Sequence, residues 1–239
     1  MKKFKLSIIL PCYNEENNIL ASFKVILRSL KTSKIKNFEI IFVDDGSTDK
    51  SKQKIINIIK NFKNKFLIKK KFLSKNLGLG GAFRIGVQKS TGTHAIFIPT
   101  DNSHPTKGLS EIFTSFENKK RNQILISYVK NKNARSLIRR IISNTYTIIL
   151  NIIFLNKVKY FNGLNIYPLK ILKANLNKTN GFAFQTEIIL MALKKRAKYY
   201  SVGTTISERQ KGATRAFKLE NIFRVFGSIA KLIYRYYVK

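Results

Sequence analysis

Residues 39–49 read Glu39-Ile40-Ile41-Phe42-Val43-Asp44-Asp45-Gly46-Ser47-Thr48-Asp49, and the rest of the chain can be arranged around this stretch. Its apolar run is short, rich in β-branched residues and ends at a turn signal, which predicts a buried strand. Isoleucines at helical spacing follow in residues 50–62, and Ser47 or Thr48 can cap that helix. The stretch therefore predicts two acids at the carboxyl edge of a sheet, where open α/β sheets bind ligands.

The acids of this turn stand out against a strongly basic composition. The 239 residues include 46 Lys and Arg but only 12 Asp and Glu, for a formal net charge of +34. Asp occurs only at positions 44, 45, 49 and 101, so three of the four lie in one turn. Because a turn needs one Asp and not two side by side, we interpret the pair as a ligand site. The alternative is a plain turn in which Asp49 is a first-turn helix acid.

The charge and the cysteine content bear on partners and compartment. A large positive charge predicts attraction to nucleic acid, an anionic membrane surface or phosphorylated substrates. No nucleic-acid-binding motif is recognisable, and the aspartates would lie in a polyanion site, so nucleic acid is not the expected partner. The single cysteine, Cys12, fits a reducing compartment. We expect no signal peptide, since the apolar run after the basic start is only a strand long, and hence a cytoplasmic location.

Apolar runs alternate with helical spacing through the first half of the chain. Besides the central stretch, strands are predicted at residues 4–10, 66–72, 94–99 and 123–129. This alternation predicts an α/β fold with a mostly parallel sheet and helices on both faces. Three of the strands end in polar residues, and these ends are expected at one edge of the sheet. We predict one domain over residues 1–216.

The second half is predicted to be mostly helical. Residues 136–155 predict a helix that is flanked by basic residues and whose apolar part is too short to span a bilayer. Further predictions are a loop or short strand at 162–168, a helix at 181–193 and an edge strand at 199–207. Residues 217–239 predict an amphipathic basic helix with an apolar stripe and a basic face, formed by Ile222, Phe226, Ile229, Ile233 and Tyr236 and by Arg224, Lys231 and Arg235. This helix favours a peripheral contact with an anionic membrane, with packing on the domain core as the alternative.

Six segments occur in an informative order, at residues 7–16, 43–49, 77–82, 101–105, 181–187 and 209–215. Together they resemble the family-2 glycosyltransferases, and within them the dolichyl-phosphate mannose synthase-like branch, whose enzymes transfer sugars to polyprenyl phosphates. The first two segments are typical of the broad family. The glycine-rich third segment and the last two point to the lipid-phosphate branch.

The resemblance implies a GT-A fold, a UDP- or GDP-sugar donor, inversion at the anomeric carbon and a polyprenyl-phosphate acceptor at the cytoplasmic membrane face. By position it assigns the base and ribose pocket to Pro11, Tyr13, Glu15, Asp44 and Asp45. It assigns a Mg²⁺ or Mn²⁺ ion to Asp101 and phosphate contacts to Arg209 and Arg215, with Asp101 and Arg209 also catalytic. It assigns sugar or acceptor contacts to Gln185 and Glu187. The alternatives are a turn or cap role for Asp101, a solvated basic loop for the arginines and a first-turn helix acid at Glu187.

The metal motif departs from the family pattern. Pro99 and Ser103 stand where the family has the first Asp of an Asp-x-Asp pair and a following Gln, so Asp101 remains alone. A phosphate acceptor is already ionised and needs no strong base, whereas a sugar hydroxyl acceptor would need one, for which His104 and Glu187 are the candidates. Transfer to a saccharide hydroxyl and a glycosyltransferase-like protein with weakened activity are therefore the alternative functions.

Overall fold

The computed structural model describes residues 5–62, 66–117, 122–176, 183–207 and 219–238. The strands in these ranges are β1 (Leu6–Cys12), β2 (Phe38–Asp44), β3 (Leu67–Phe72), β4 (His94–Phe97), β5 (Ile124–Val129), β6 (Ile166–Pro168) and β7 (Tyr199–Thr204). The helices are α1 (Ile19–Thr32), α2 (Ser51–Phe62), α3 (Gly78–Lys89), α4 (Thr106–Glu117), α5 (Leu137–Ile153), α6 (Leu169–Ala174), α7 (Phe184–Lys194) and α8 (Leu219–Tyr237), and a short 3₁₀ helix spans Lys132–Ala134.

The strands form one mostly parallel sheet in the order β3-β2-β1-β4-β6-β5-β7. The strands β1 to β4 run parallel, β6 is antiparallel to both of its neighbours, and β7 lies parallel to β5 at the edge. The predicted α/β fold is confirmed, as is the edge position of the last strand. The segment at 162–168, predicted as a loop or short strand, supplies the antiparallel β6.

Helices cover both faces of the sheet. The register pairs Ile9 with Ile41 and Leu10 with Phe42, and successive residues of a strand point to opposite faces. On the Phe42 face, Phe23 of α1 lies 5.8 Å from Phe42, measured between ring centroids. On the other face α3 packs so closely that a Cβ at Gly86 would lie 2.3 Å from Ile9 Cγ2. The central strands are therefore buried on both sides, which agrees with their apolar composition.

The second half of the chain packs against the same core. The helix α5 buries Leu150, and α8 buries Ile229 and Leu232. Tyr236 of α8 lies 4.7 Å from Phe154, which follows α5, measured between ring centroids. Among the described residues, no helix has the length and apolar character needed to cross a bilayer.

The apolar stripe predicted on the C-terminal helix is used for packing where its side chains are described. Ile229 is buried, and Ile233 and Tyr236 pack against the core. For these residues the structure shows the alternative that we named, packing on the domain, in place of a free apolar face. The proposed domain limit at residue 216 lies outside the described residues and stays a prediction.

Candidate active site

The carboxyl ends of β2, β1 and β4 lie side by side and carry the predicted donor-binding residues. The register places Cys12 beside Asp44, and the N–H of Asp45 donates to the Cys12 carbonyl at 2.8 Å. On the other side of β1, the Thr100 hydroxyl after β4 donates to the Pro11 carbonyl at 3.1 Å. Parallel strands end at the same edge of a sheet, so the three loops form one cleft edge.

Reciprocal hydrogen bonds join the loop after β1 to the loop after β2. The N–H of Asn14 donates to the Ser47 hydroxyl at 3.0 Å, and the N–H of Thr48 donates to Asn14 Oδ1 at 2.9 Å. The N–H of Glu15 donates to the Ser51 hydroxyl at 2.8 Å. Asn14 adopts a positive φ of 55°, which Asn tolerates better than most residues. The two loops are therefore held as one unit before any ligand binds.

The cap of α2 differs from our prediction. Asp49 Oδ1 accepts a hydrogen bond from the N–H of Ser51 at 2.9 Å, whereas Ser47 and Thr48 are used by the loop after β1. Burial alone would raise the pKa of the Asp49 carboxyl, but hydrogen bonds from Ser51 and from backbone N–H groups lower it. Asp49 therefore orders the start of the helix from a position just before Ser51, and it is not the first-turn acid that we named as the alternative.

Asp45 links the acidic turn to the glycine-rich segment that opens α3. Its side chain is buried, and Oδ1 accepts a hydrogen bond from the N–H of Leu77 at 2.8 Å. Burial raises the pKa of Asp45, assisted by the charge of Asp44 and opposed by the N–H groups of Leu77 and Gly78. Gly46 has a φ of +74°, and a Cβ there would lie 2.9 Å from the Lys75 carbonyl carbon, so the two loops can meet only with glycine at this position.

Asp44, the last residue of β2, has a buried carboxylate oxygen. The residue is 2% exposed, and Oδ1 has no hydrogen-bond partner within the described part of the chain. Oδ2 accepts only a long bond, 3.4 Å, from the N–H of Ser47. Because a buried acceptor without a donor is costly, this atom suits a ligand N–H or O–H. The contact of Asp44 with a base or ribose stays a prediction, with this oxygen as its candidate acceptor.

The remaining predicted pocket residues lie around these two acids. Pro11 is buried, and Tyr13 and Glu15 are half-buried in the loop after β1. Glu15 Oε2 accepts a hydrogen bond of 2.7 Å from Asn18 Nδ2, just before α1. Burial raises the pKa of the Cys12 thiol to about 11, so this cysteine is inert as a nucleophile at neutral pH.

Asp101 lies in the loop after β4 and is held in one orientation. Its Oδ1 accepts hydrogen bonds from the N–H of Ser103 at 3.1 Å and from the Ser103 hydroxyl at 2.7 Å. The same loop is fixed to α1, since the N–H of Asn102 donates to the Ser22 hydroxyl at 3.0 Å. Ser103, which stands where the family has a Gln, therefore orients the carboxylate of Asp101, the one acid that remains in the metal motif.

His104 and two arginines complete this part of the edge. Burial of the imidazole and the positive charges of Arg135 and Arg139 together lower the pKa of His104 to about 4, although the Asp101 carboxylate opposes this shift. From the sequence we expected both arginines only as basic residues at the start of the helix predicted over residues 136–155. The signal that could have identified them is their position shortly after β5, which ends at the same edge of the sheet as β4. Arg135 is oriented by Tyr160, whose hydroxyl lies 3.2 Å from Nη1.

Gln185 and Glu187 begin α7 but differ in their surroundings. Phe184 lies 5.4 Å from Phe97 at the end of β4, between ring centroids, so the start of α7 is near the cleft edge. Gln185 Oε1 accepts a hydrogen bond from Asn165 Nδ2 at 3.2 Å. Glu187 is buried and forms an ion pair with Arg235 of α8. Its observed contact therefore joins two helices, and a contact with sugar or acceptor stays a prediction.

The predicted phosphate-binding residues Arg209 and Arg215 lie outside the described residues. Within the described residues, no group of three or more His, Cys, Asp or Glu side chains could hold a metal ion. Asp101 is thus a single carboxylate. That donor set fits a Mg²⁺-type ion that takes one carboxylate from the protein and most other ligands from phosphate oxygens and water.

The family model for Glycosyl transferase family 2 matches residues 7–181, and the chain belongs to this family. A dolichyl-phosphate beta-glucosyltransferase of Saccharomyces cerevisiae is 28% identical over 221 residues, which are 80% of this chain and 63% of the yeast protein. A second protein of that description, from Trichomonas vaginalis, is 31% identical over 102 residues, 41% of this chain and 31% of its own length. The chain therefore spans less than two thirds of these relatives.

Solved structures support the fold assignment. Mannosyl-3-phosphoglycerate synthase from Rubrobacter xylanophilus aligns with a TM-score of 0.66 at 11% identity, over 97% of this chain and 73% of that one. Staphylococcus aureus TarS, residues 1–349 in complex with UDP, aligns with a TM-score of 0.59 at 22% identity, over 97% of this chain and 66% of that one. These glycosyltransferases share the GT-A fold predicted for this chain.

Proposed function

We propose that this protein is an inverting glycosyltransferase that moves a sugar from a UDP- or GDP-sugar to a polyprenyl phosphate at the cytoplasmic face of a membrane. The observation that carries the proposal is the cleft edge, where Asp44 and Asp45 lie at the end of β2 and Asp101 follows β4, with β1 between these two strands. The names of the yeast and Trichomonas relatives, which specify dolichyl phosphate, support the acceptor class. The TarS complex supports a nucleotide donor, since it contains UDP.

The donor half of the proposal rests on the two buried acids. Asp44 Oδ1 offers an unpaired acceptor to a base N–H or a ribose hydroxyl. Asp45 is occupied by the start of α3 and fixes the wall of the pocket. Pro11, Tyr13 and Glu15 would line the rest of the base and ribose pocket. Because the loops are already hydrogen-bonded to one another, little ordering entropy would be lost when the donor binds.

A divalent cation would be held by Asp101 together with the donor diphosphate. Bound Mg²⁺ or Mn²⁺ would neutralise charge that develops on the leaving diphosphate. The Ser103 hydrogen bonds keep the Asp101 carboxylate in place, as outer groups do for metal ligands in general. Arg209 and Arg215 are proposed to contact phosphate oxygens of the donor or acceptor.

The acceptor half of the proposal rests on the absence of a suitable base in the places where one was predicted. His104, with a pKa near 4, is a weak base, and Glu187 is paired with Arg235. A sugar hydroxyl must give up its proton to a base during transfer, whereas a phosphate monoester is already ionised at neutral pH. Arg135 and Arg139 provide positive charge on the Asp101 side of the edge, which suits an anionic acceptor.

The proposal is tested by incubating the protein with radiolabelled UDP- and GDP-sugars, Mg²⁺ or Mn²⁺ and a polyprenyl phosphate. We expect the label to enter an organic-extractable, acid-labile product. A thermal-shift panel of the same donors identifies the preferred base independently of the acceptor. Donor binding and transfer to a saccharide, without a lipid-linked product, would show that the acceptor is a saccharide and not a polyprenyl phosphate. If the protein neither binds a donor nor transfers a sugar, the proposed function is wrong.

A further inference from the structure

The helix α5 exposes a continuous apolar face. Ile138, Ile141, Ile142, Ile148, Ile149 and Ile152 are all exposed, up to 71% at Ile138, and we refer to them as the α5 apolar face. At 3.6 residues per turn they fall within an arc of about 120°. Thr147 and Leu150 on the opposite side are buried in the domain. Isolated exposed isoleucines are ordinary, but a contiguous stripe of six indicates an interaction surface.

The surface is free of charge in a chain that is rich in charge. Residues 141–156 contain no Asp, Glu, Lys or Arg, although 24% of the whole chain is charged. The cations lie at the two ends instead, with Arg139 and Arg140 in the first turn of α5 and exposed Lys157 and Lys159 beyond its last turn. An apolar face with cations at its borders matches the layers of an anionic bilayer, where acyl chains lie below phosphate groups.

Aromatic residues extend the surface at the C-terminal end of α5. Leu155, just past the helix, is 88% exposed. The ring of Tyr237 from α8 stacks on Phe154 at a centroid distance of 6.0 Å, and Tyr234 is exposed one turn earlier on α8. Tyr is enriched where one side of a protein meets lipid and the other meets water. The C-terminal helix thus contributes its end to the surface while Ile229, Ile233 and Tyr236 pack on the domain.

We infer that α5 lies in the plane of an anionic membrane with its apolar face inserted, and that this helix is the main membrane contact of the described chain. A second copy of the chain is the competing occupant. Because each copy carries a formal charge of +34, two chains repel each other whereas an anionic bilayer attracts. The purpose of the contact rests on the proposed lipid acceptor, but the binding itself does not require donor or acceptor.

The first experiment compares two double variants in flotation with vesicles made of phosphatidylcholine and phosphatidylglycerol in equal parts. Ile138→Ser/Ile152→Ser removes two residues of the α5 apolar face. Leu20→Ser/Leu67→Ser removes two exposed leucines from α1 and β3 and is the matched control. We expect the first variant to lose at least about tenfold in partitioning and the control to match wild type. Equal partitioning of all three proteins would overturn the inference.

A second measurement locates the inserted face directly, even where a double variant fails to fold. The environment-sensitive dye NBD is attached to Ile149→Cys or, as a control, to Leu67→Cys; buried Cys12, whose thiol pKa is raised, stays unlabelled. We expect a blue-shifted, brighter emission at position 149 with anionic vesicles and little change at 67. A shift at 149 that depends on protein concentration without vesicles, with a dimer in sedimentation, would assign the face to a second copy and refute the membrane contact.

The two proposals can fail separately. Turnover is measured in parallel with a short-chain, water-soluble polyprenyl phosphate. Vesicle binding without any such turnover would sustain the membrane contact and count against the proposed reaction. Turnover on the soluble acceptor without vesicle binding would support the proposed reaction and refute the membrane contact.

Discussion

Replacement of Glu39 by Gln should destabilise the protein at neutral pH without affecting the cleft. Glu39 is the first acid of β2, and its side chain is fully buried at the edge of the sheet opposite to the cleft. It accepts hydrogen bonds from the Ser7 hydroxyl at 2.7 Å and from the N–H of Thr91 at 2.6 Å, and Lys69 Nζ lies 2.8 Å from Oε2. One carboxylate thus joins β1, β2, β3 and the loop before β4.

The size of the effect follows from the pKa of Glu39. Burial alone would raise this pKa, but the Lys69 ammonium and the hydrogen bonds from Ser7 and Thr91 lower it from 4.5 to about 2. At about 1.4 kcal/mol per pKa unit, the ionised form contributes on the order of 3 kcal/mol. Because Gln cannot carry the charge, the free energy of unfolding of the variant at pH 7 should be lower than that of wild type by about this amount. For a domain of this size, a loss of that magnitude lowers Tm by roughly 6–12 °C.

The pH dependence of the unfolding free energy tests whether the charge of Glu39 causes the stabilisation. Since the pKa is lower in the folded state, the stabilisation is fully present above the unfolded-state pKa of 4.5 and is lost as the pH falls toward 2. Urea unfolding of wild type and Glu39→Gln should therefore differ most at pH 7, and the difference should shrink by about 1.4 kcal/mol once the pH lies one unit below the unfolded-state pKa.

The matched control is Glu111→Gln. Glu111 also pairs with a lysine, but Lys130 is 49% exposed, and pairs open to solvent contribute about 1 kcal/mol or less. If the difference in unfolding free energy between wild type and Glu39→Gln is the same at neutral and acidic pH, the charge of Glu39 is not the cause of the stabilisation. Donor affinity should match wild type in Glu39→Gln, because Glu39 lies at the edge of the sheet opposite to the cleft.

Three further predictions concern the cleft and its supports. Asp44→Asn should weaken donor binding by about tenfold or more even with EDTA present, since its unpaired buried oxygen is the proposed ligand acceptor, and titration calorimetry measures this; unchanged affinity would remove Asp44 from the donor pocket. Asp101→Asn should fold normally and lose metal-dependent transfer in the radiolabel assay, and wild-type turnover would exclude it as the metal ligand. Glu187→Gln should leave the Arg235 guanidinium with a weaker partner and cost about 1–3 kcal/mol in thermal unfolding; if turnover falls while stability does not, Glu187 serves the substrate instead.

Much of the fold follows from local patterns. The alternation of apolar runs and helical spacing predicted β1 to β5 and α1 to α4, because each element buries one face or stripe against its neighbours. The six-residue helix α6 was missed, since it is too short to show periodicity. The capping of α2 by Asp49 was also missed. Ser47, Thr48 and Asp49 are all good caps, and only the contact with Asn14 decides among them.

Contacts between distant segments could not be predicted from the sequence. The pairing of Glu187 with Arg235 joins positions far apart in the chain, and neither residue indicates its partner. The same limit applies to α5. Its isoleucines share one face, which periodicity would assign to the core, yet the structure buries Leu150 on the opposite side and exposes Ile138 and Ile152. The placement of Asp44, Asp45 and Asp101 at one edge was predictable because the carboxyl ends of parallel strands lie at the same edge of a sheet.

The positions of α5 and the cleft bear on how a lipid acceptor could reach the donor. The first turn of α5 contains Arg139, which acts on the pKa of His104 together with Arg135, so this end of the helix lies beside Asp101. The α5 apolar face begins at Ile138, next to that turn. A helix lying in the membrane plane would then hold the Asp101 side of the cleft at the level of the phosphate groups. A polyprenyl phosphate keeps its chain in the bilayer and its head group at this level, so it would need little displacement to meet the arginines and the donor.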